Sequence, residues 1–419
     1  MQAGGAVNPD DSMLPWRTEA SLKSAQFVRL HRDLHAVTSK RRARLGRFCR
    51  SSARGRQSAF WKLVRGRFAF VTIILALLTL GCGPSEPPDL EVFHGEVQRV
   101  GHLGAAQPDF NLMGRVSPAR GVRKLVYSVN GGDPVRLSLG LEDHGFGDGR
   151  RLGATGDFNA DISISGLVHG SNTVTLTLSS WRNDPLQTEV LLERDTGSSP
   201  LPLEIRWSDV NDPQDVGQYV DGRWRLDDDG LRTAETGYDR LFLLGDTTWQ
   251  DYELTASFKI HEVDLKTGPA SGANGLGVIM RFAGHVDGGP RNFGAGQPKW
   301  GYQPFGAIAW LRWLSGPTRR PSNQFYRGDG DSTVDFDAAE IEYDAWYMIK
   351  ALAESLPDTP LGLGVTKYSF KIWPHGESEP TDWVWQEIQE SRDALRRGGA
   401  ALVAHHVDVT FGDITVVAK

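Results

Sequence analysis

The chain has 419 residues and very little cysteine: only Cys49 and Cys82. Two cysteines so placed rule out a disulfide-stapled fold and any cysteine-rich metal module. Basic residues are scarce over most of the length. Residues 1–67 hold 15 of the 46 lysines and arginines but only 4 of the 52 acids, leaving 31 basic against 48 acidic residues beyond them, a balance of −17. So acidic a body repels phosphate backbones, and no nucleic-acid partner is expected. No apolar run is long enough to stay in a bilayer. The longest, Phe68 to Leu80, spans about 20 Å as a helix against a hydrocarbon core of about 30 Å. Sustained helical periodicity is missing too, surfacing only in the short stretch "WQEIQESRDALRR".

What is present begins with that apolar run, which follows Arg65 and Arg67 and ends at Gly81-Cys82. Basic flank, short apolar core and small residue form the pattern of a signal peptide. Residues 64–82 resemble a bacterial lipoprotein signal, with Thr79 standing where that family has leucine. The resemblance implies a diacylated Cys82, export, and a membrane anchor at the cell envelope. Residues 83–89 then read as a polar, proline-rich tether. Residues 1–63, basic and serine-rich, read as disorder or as a leader extension mis-assigned at the gene start.

Two blocks of strands follow. In residues 90–196, "KLVYSVNGGDPVRLSL" flanks Asn130-Gly131-Gly132, a hairpin signal. In "DFNADISISG" Phe158, Ala160, Ile162 and Ile164 alternate with polar residues, a period of two. Asp157, Asn159 and Asp161 open like a calcium loop but lack its glycine and closing glutamate, so Asn159 and Asp161 are expected to face water. The block resembles the immunoglobulin-like modules appended to bacterial surface proteins. Beyond the Gly/Ser/Pro-rich "DTGSSPLP", expected to be a linker between separately folding units, residues 203–419 carry long aromatic strands such as "DYELTASFKIHEV" and "FGAIAWLRW". About a dozen strands imply a large two-sheet jelly roll. Their order, with Trp224, Trp249, Tyr252, Trp346, Tyr347 and Phe411 at structural positions, resembles the concanavalin A-like superfamily, nearest its laminin G-like and 3-keto-disaccharide hydrolase-like members. The expected fold class is therefore all-β: an immunoglobulin-like sandwich followed by a concanavalin A-like jelly roll.

Function is less directly written. Laminarinase-type glycosidases of that superfamily carry a Glu-x-Asp-x-x-Glu strand with two carboxylates about 5–5.5 Å apart. Asp335, Asp337 and Glu340 match it with a shortened first acid, and read as a solvated acidic strand or, together with Asp329 and Asp331, as a calcium site. The related polysaccharide lyases imply a Tyr/His pair with arginine. Arg232, Glu235, His261 and Tyr368 follow that order, but Lys259 replaces the glutamine and the second arginine is missing. Binding is what remains. From Met280 to Gly316 a Gly/Pro-rich segment gathers Trp300, Tyr302, Phe305, Trp310 and Trp313 with Arg281, Arg291 and Arg312. Flat rings stack on sugars and guanidinium groups ligate hydroxyls or carboxylates. The expectation is an envelope protein that binds a polysaccharide or glycoconjugate through Arg281, Arg291, Trp300, Tyr302 and Arg312. It requires no cofactor, and a glycoside hydrolase or lyase is the alternative.

Overall fold

The computed structural model describes residues 87–140, 150–268, 272–284, 297–299, 301, 303–314, 320–336, 340–392 and 394–419. The leader at 1–63, the signal at 64–82 with Cys82, and the start of the tether lie outside them, as do Arg291, Trp300, Tyr302 and Asp337. Among the described residues no helix is long and apolar enough to cross a membrane.

The protein is all-β. The first sandwich is built from β1 (Asp89–Val92), β2 (Val97–Val100), β3 (Asp109–Ser117), β4 (Val122–Val129), β5 (Val135–Leu137), β6 (Asp157–Ser163), β7 (Gly170–Ser180) and β8 (Leu186–Arg194). One sheet has the order β1-β3-β6 and the other β2-β8-β7-β4-β5. The opening segment divides between them, β1 pairing antiparallel with β3 and β2 parallel with β8. The two sheets enclose an interleaved core, here Leu112, Leu125, Phe158, Val174, Leu176 and Val190. The hairpin at Asn130-Gly131 forms because both residues take positive φ, 51° and 72°, which matches the twist of the flanking strands.

The second sandwich contains β9 (Leu203–Ile205), β10 (Gln218–Asp221), β11 (Trp224–Asp227), β12 (Gly230–Thr233), β13 (Arg240–Leu244), β14 (Tyr252–Val263), β15 (Asn274–Phe282), β16 (Ala307–Trp313), β17 (Ser322–Arg327), β18 (Ser332–Asp335), β19 (Trp346–Leu356), β20 (Gly364–Pro374), β21 (Trp385–Ser391), β22 (Gly399–His405) and β23 (Val407–Ala418). Its seven-stranded sheet runs β10-β13-β22-β15-β16-β17-β18, and its eight-stranded sheet β11-β12-β23-β14-β19-β20-β21 with β9 also on β23. β14 keeps the alternation of its sequence: Tyr252, Leu254, Ala256, Phe258 and Ile260 are fully buried between the sheets and their neighbours face outward.

Three expectations change. The first seven residues of the stretch with helical spacing form β21, an edge strand paired with β20 from Gly364↔Ser391 to Phe370↔Trp385; sheet pairing overrides a weak local period. "RWRLDDDGLRT" is a hairpin of β11 and β12 turning at Asp228-Asp229. "ALVAHHVDVTFGDITVVA" is two strands in different sheets, because His406 sits at φ 55° and turns the chain from β22 into β23.

The seven-stranded sheet is buried on both faces. One face packs into the inter-sheet core, while Leu241, Leu243, Ile279, Ile308, Trp310, Ala401 and Val403 on the other form a second cluster that includes Ala106 of the first sandwich. The two sandwiches belong to one compact unit, and its apolar clusters are made of the unit's own residues. The connecting segment is pinned: Gly197 donates to the Gly101 carbonyl, and the Trp249 indole donates to the buried Ser199 carbonyl at 2.5 Å.

Candidate functional site

The outer face of the seven-stranded sheet carries the most concentrated chemistry among the described residues. Trp310 and Trp313 lie three residues apart on β16, so they face opposite sides of it. Trp313 fills the inter-sheet core and Trp310 lies on the outer face. Directly opposite on β15 are glycines, Gly277 facing Trp310 and Gly275 facing Arg312. A Cβ on Gly277 would come within 2.5 Å of the Trp310 Cβ, and one on Gly275 within 2.6 Å of the Arg312 Cδ. The indole and guanidinium therefore rest on a floor that only glycine allows. The Arg312 guanidinium carbon is 4.0 Å from the Trp310 ring centroid, and the indole N–H donates to Gln324 Oε1 at 2.8 Å.

Beside this floor β22 ends in His405, paired across the sheet with Gly275. Its Nδ1 lies 2.7 Å from Asp239 Oδ1, with both side chains buried. A carboxylate only accepts, so Nδ1 donates to Asp239. The His405 ring meets Tyr238 edge-on at 4.7 Å, His406 at 4.6 Å and Trp310 at 6.3 Å. Arg150, from the first sandwich, stacks on Tyr238 at 4.4 Å. Burial, followed by the nearby His405 and Arg240, pushes His406 down to about 3, so it is neutral at ordinary pH.

The first sandwich reaches into this face through buried polar groups. Asn159 and Asp161, expected to be solvated, are almost fully buried against the second sandwich. Arg151 donates to Asp161 at 2.9 Å and to Asp221 of β10 at 2.6 Å, and Asn159 donates to Asp221 at 2.9 Å. Burial disfavours the Arg151 charge, but Asp161 and Asp221 more than offset it, so its pKa lies above the ordinary guanidinium value. The same residues hold residues 297–299 of the connection between β15 and β16. Lys299 N donates to Asp161 and its carbonyl accepts from Arg151 at 2.7 Å; Gln297 Oε1 accepts from Asp161 N at 2.9 Å, and the Lys299 ammonium pairs with Asp109.

Of the sequence-derived ligand residues, Arg312 is on this face. Arg281 is not available to a ligand. A bulge at φ 53° turns it between the sheets, where its fully buried guanidinium donates to Asp251, Ser355, Thr366 and the Leu395 carbonyl. Arg291, Trp300 and Tyr302 are outside the described residues. Asp335 ends edge strand β18 beside Asn323 Nδ2 at 3.4 Å, and Glu340 is exposed. Asp329 and Asp331 both pair with Arg327, and Asp329 also accepts from Gln389. Among the described residues no three His, Cys, Asp or Glu side chains gather as a metal site. The lyase-like pair is split by the sheet: His261 faces outward against Asp344 and Thr410, while Tyr368 is buried in the core, where burial raises its pKa to about 12. The Asp239–His405 pair was not read from the sequence, because 166 residues separate its members.

No family model matches the chain, and no curated protein matches it. Solved structures with partial likeness include the VIP36 exoplasmic/lumenal domain in its Ca2+/Man3GlcNAc-bound form, with 10% identity and a TM-score of 0.30 over 52% of this chain and 91% of that one. A PL-14 alginate lyase from Aplysia kurodai has 11% identity and a TM-score of 0.26 over 49% and 88%. A galectin-like protein from Bacillus subtilis has 12% identity and a TM-score of 0.27 over 48% and 86%. Likeness of this order assigns neither ligand nor residue role here.

Proposed function

We propose that the protein is exported, is held at the cell envelope through Cys82, and binds a polysaccharide or glycoconjugate at the β15–β16 connection beside the buried outer face of the seven-stranded sheet. The observation that carries this reading is the Trp310–Arg312 pair on its glycine floor, with Gln324 bonded to the indole and Asp239–His405 alongside. Planar rings next to fixed donors and acceptors are what hold sugar rings and their hydroxyls. Trp310 is itself only 5% exposed, so it forms the base of the site. Direct contacts fall to Trp300, Tyr302 and Arg291 of the same β15–β16 connection. No metal enters this reading, and chelation with EDTA leaves binding unchanged.

A glycan array tests it. For an array hit, Trp300→Ala or Tyr302→Ala weakens binding about tenfold or more, the scale of aromatic anchors. The double change Asp335→Asn, Glu340→Gln stays within about fivefold, as surface changes do. The reverse pattern moves the site to β18. Release of reducing ends from an array hit by the wild type would replace binding with catalysis.

A further inference from the structure

The first sandwich has one end whose chemistry differs from the rest of this acidic protein. Pro87 and Pro88, where the described chain begins, line one open cleft with Leu178, Ser180, Arg182, Asn183 and Asp184. The segment arriving from Cys82 therefore enters the fold against the turn between β7 and β8. At the tip of that turn Trp181 is 72% exposed, the one tryptophan among the described residues with most of its surface in solvent. Its backbone N–H donates to the Gly121 carbonyl at 3.1 Å, which brings the β3–β4 turn alongside. The Arg123 guanidinium lies 4.8 Å over the indole ring, and Arg120, Lys124 and Arg182, in or next to the same two turns, are exposed. The described acids at this end are Asp89 and Asp184, so four cations face two anions on a chain whose balance beyond Cys82 is −17.

We propose that this end of the first sandwich is a membrane-contact face that rests on anionic phospholipid headgroups. The proposal builds on the anchoring of Cys82 in the reading above. From Cys82 to Pro87 is five residues, a reach of at most about 17 Å, so the anchor keeps this end at the headgroups. An exposed indole is the side chain that settles at a membrane interface. Arginines and lysines lay their stems along apolar surface while their heads meet phosphate. Two turn tips side by side suit a plane, whereas a protein partner would call for a groove around Trp181. Charge also sets the sign: the acidic remainder is repelled by an anionic surface, so this end alone approaches it.

The test uses residues 83–419, which comprise the compact unit with its own cores, and vesicles of phosphatidylcholine alone or mixed with phosphatidylglycerol. Sedimentation is expected only with the anionic vesicles and is abolished by high salt. Arg123→Gln with Arg182→Gln lowers the bound-to-free ratio about 25-fold, about fivefold for each cation removed, and Trp181→Ser lowers it further. Arg225→Gln, an exposed site on β11, leaves it unchanged. Equal partitioning onto both vesicle types, no partitioning at all, or an effect of Arg225→Gln as large as that of the double variant overturns the proposal. Palmitate labelling of the full chain and of Cys82→Ser runs in parallel. Labelling without charge-dependent partitioning removes the contact face and keeps the anchor, whereas charge-dependent partitioning without labelling removes the anchor and keeps the face.

Discussion

At the residue scale, Arg281 shows how position in a sheet overrides residue type. In sequence it is one arginine among aromatic residues, suited to a ligand; in the fold its guanidinium joins β15 to Asp251 before β14, Ser355 on β19 and Thr366 on β20. Arg281→Met leaves the Asp251 carboxylate without its cation and the Leu395 carbonyl without its donor. Asp251 is partly exposed, so losing the cation and these hydrogen bonds costs about 1–3 kcal/mol, read as a lower urea midpoint, with glycan binding by the remaining folded protein unchanged. The β16 tryptophans were more legible. Their odd spacing meant that one had to leave the core; that Trp310 is the one depends on which face β16 turns toward β19 and β20, which no local pattern reports.

At the scale of elements, long alternating strands were readable and short or bent ones were not. β14 carries its register in its own side chains, since a slip of one residue would expose Leu254, Ala256 and Phe258. The β22–β23 corner depends on a histidine at positive φ, which its sequence does not advertise. The floor beneath Trp310 tests how far β15 serves the site. In Gly277→Ala the new methyl would sit 2.1 Å from the Ala309 carbonyl oxygen as well as against Trp310. Overpacking of this kind costs about 1–3 kcal/mol. Denaturant unfolding should show that loss together with a change in near-ultraviolet dichroism as the indole is displaced, and an unchanged spectrum would mean the indole does not rest there.

At the scale of the whole molecule, the polar face between the sandwiches couples them. Arg115 of β3 donates to Asp157 and, with two bonds, to Glu235 beyond β12, while Arg151 is buried between Asp161 and Asp221. With residues 197–199 pinned as well, the expected outcome in a calorimeter is one unfolding transition, and limited proteolysis leaves the Gly197–Pro200 segment uncut while the protein is folded. Two transitions would show that the interface is weaker than its bonds imply. The same interface makes stability depend on pH. His94 of the first sandwich stacks on Tyr219 of the second at 3.5 Å, and burial, with the charge of Arg223, pushes it down to about 3 from 6.5. His406 is pushed down to about 3 as well, mainly by burial. Both are neutral in the folded and unfolded states above about pH 6.5, so their contribution is complete there. As pH falls from 6.5 toward 3 only the unfolded chain takes up these protons, and up to about 2 kcal/mol per histidine is lost by pH 5. The urea midpoint at pH 5 should lie below that at pH 7, with a smaller difference in His94→Gln. Glu235 acts lower in the range. Arg115 holds its carboxyl below the usual value of 4.5, so its contribution, present above that value, is lost as pH falls through the folded value.

The sequence by itself determined the all-β class, the two successive sets of strands and the apolar faces of the long ones, because each rests on spacings of two residues within one strand. It also set the acidic balance and the run that ends at Cys82, which are properties of composition and order. Only the tertiary structure decided that the outer face of β6 is dry, that Asp239 meets His405, and that Arg281 is a strut. Each depends on strands from distant parts of the chain lying side by side. Buried polar residues carry no local sign of burial: Asp161 has the same alternation as a solvated aspartate, and what distinguishes it is Arg151 and Lys299 arriving from elsewhere.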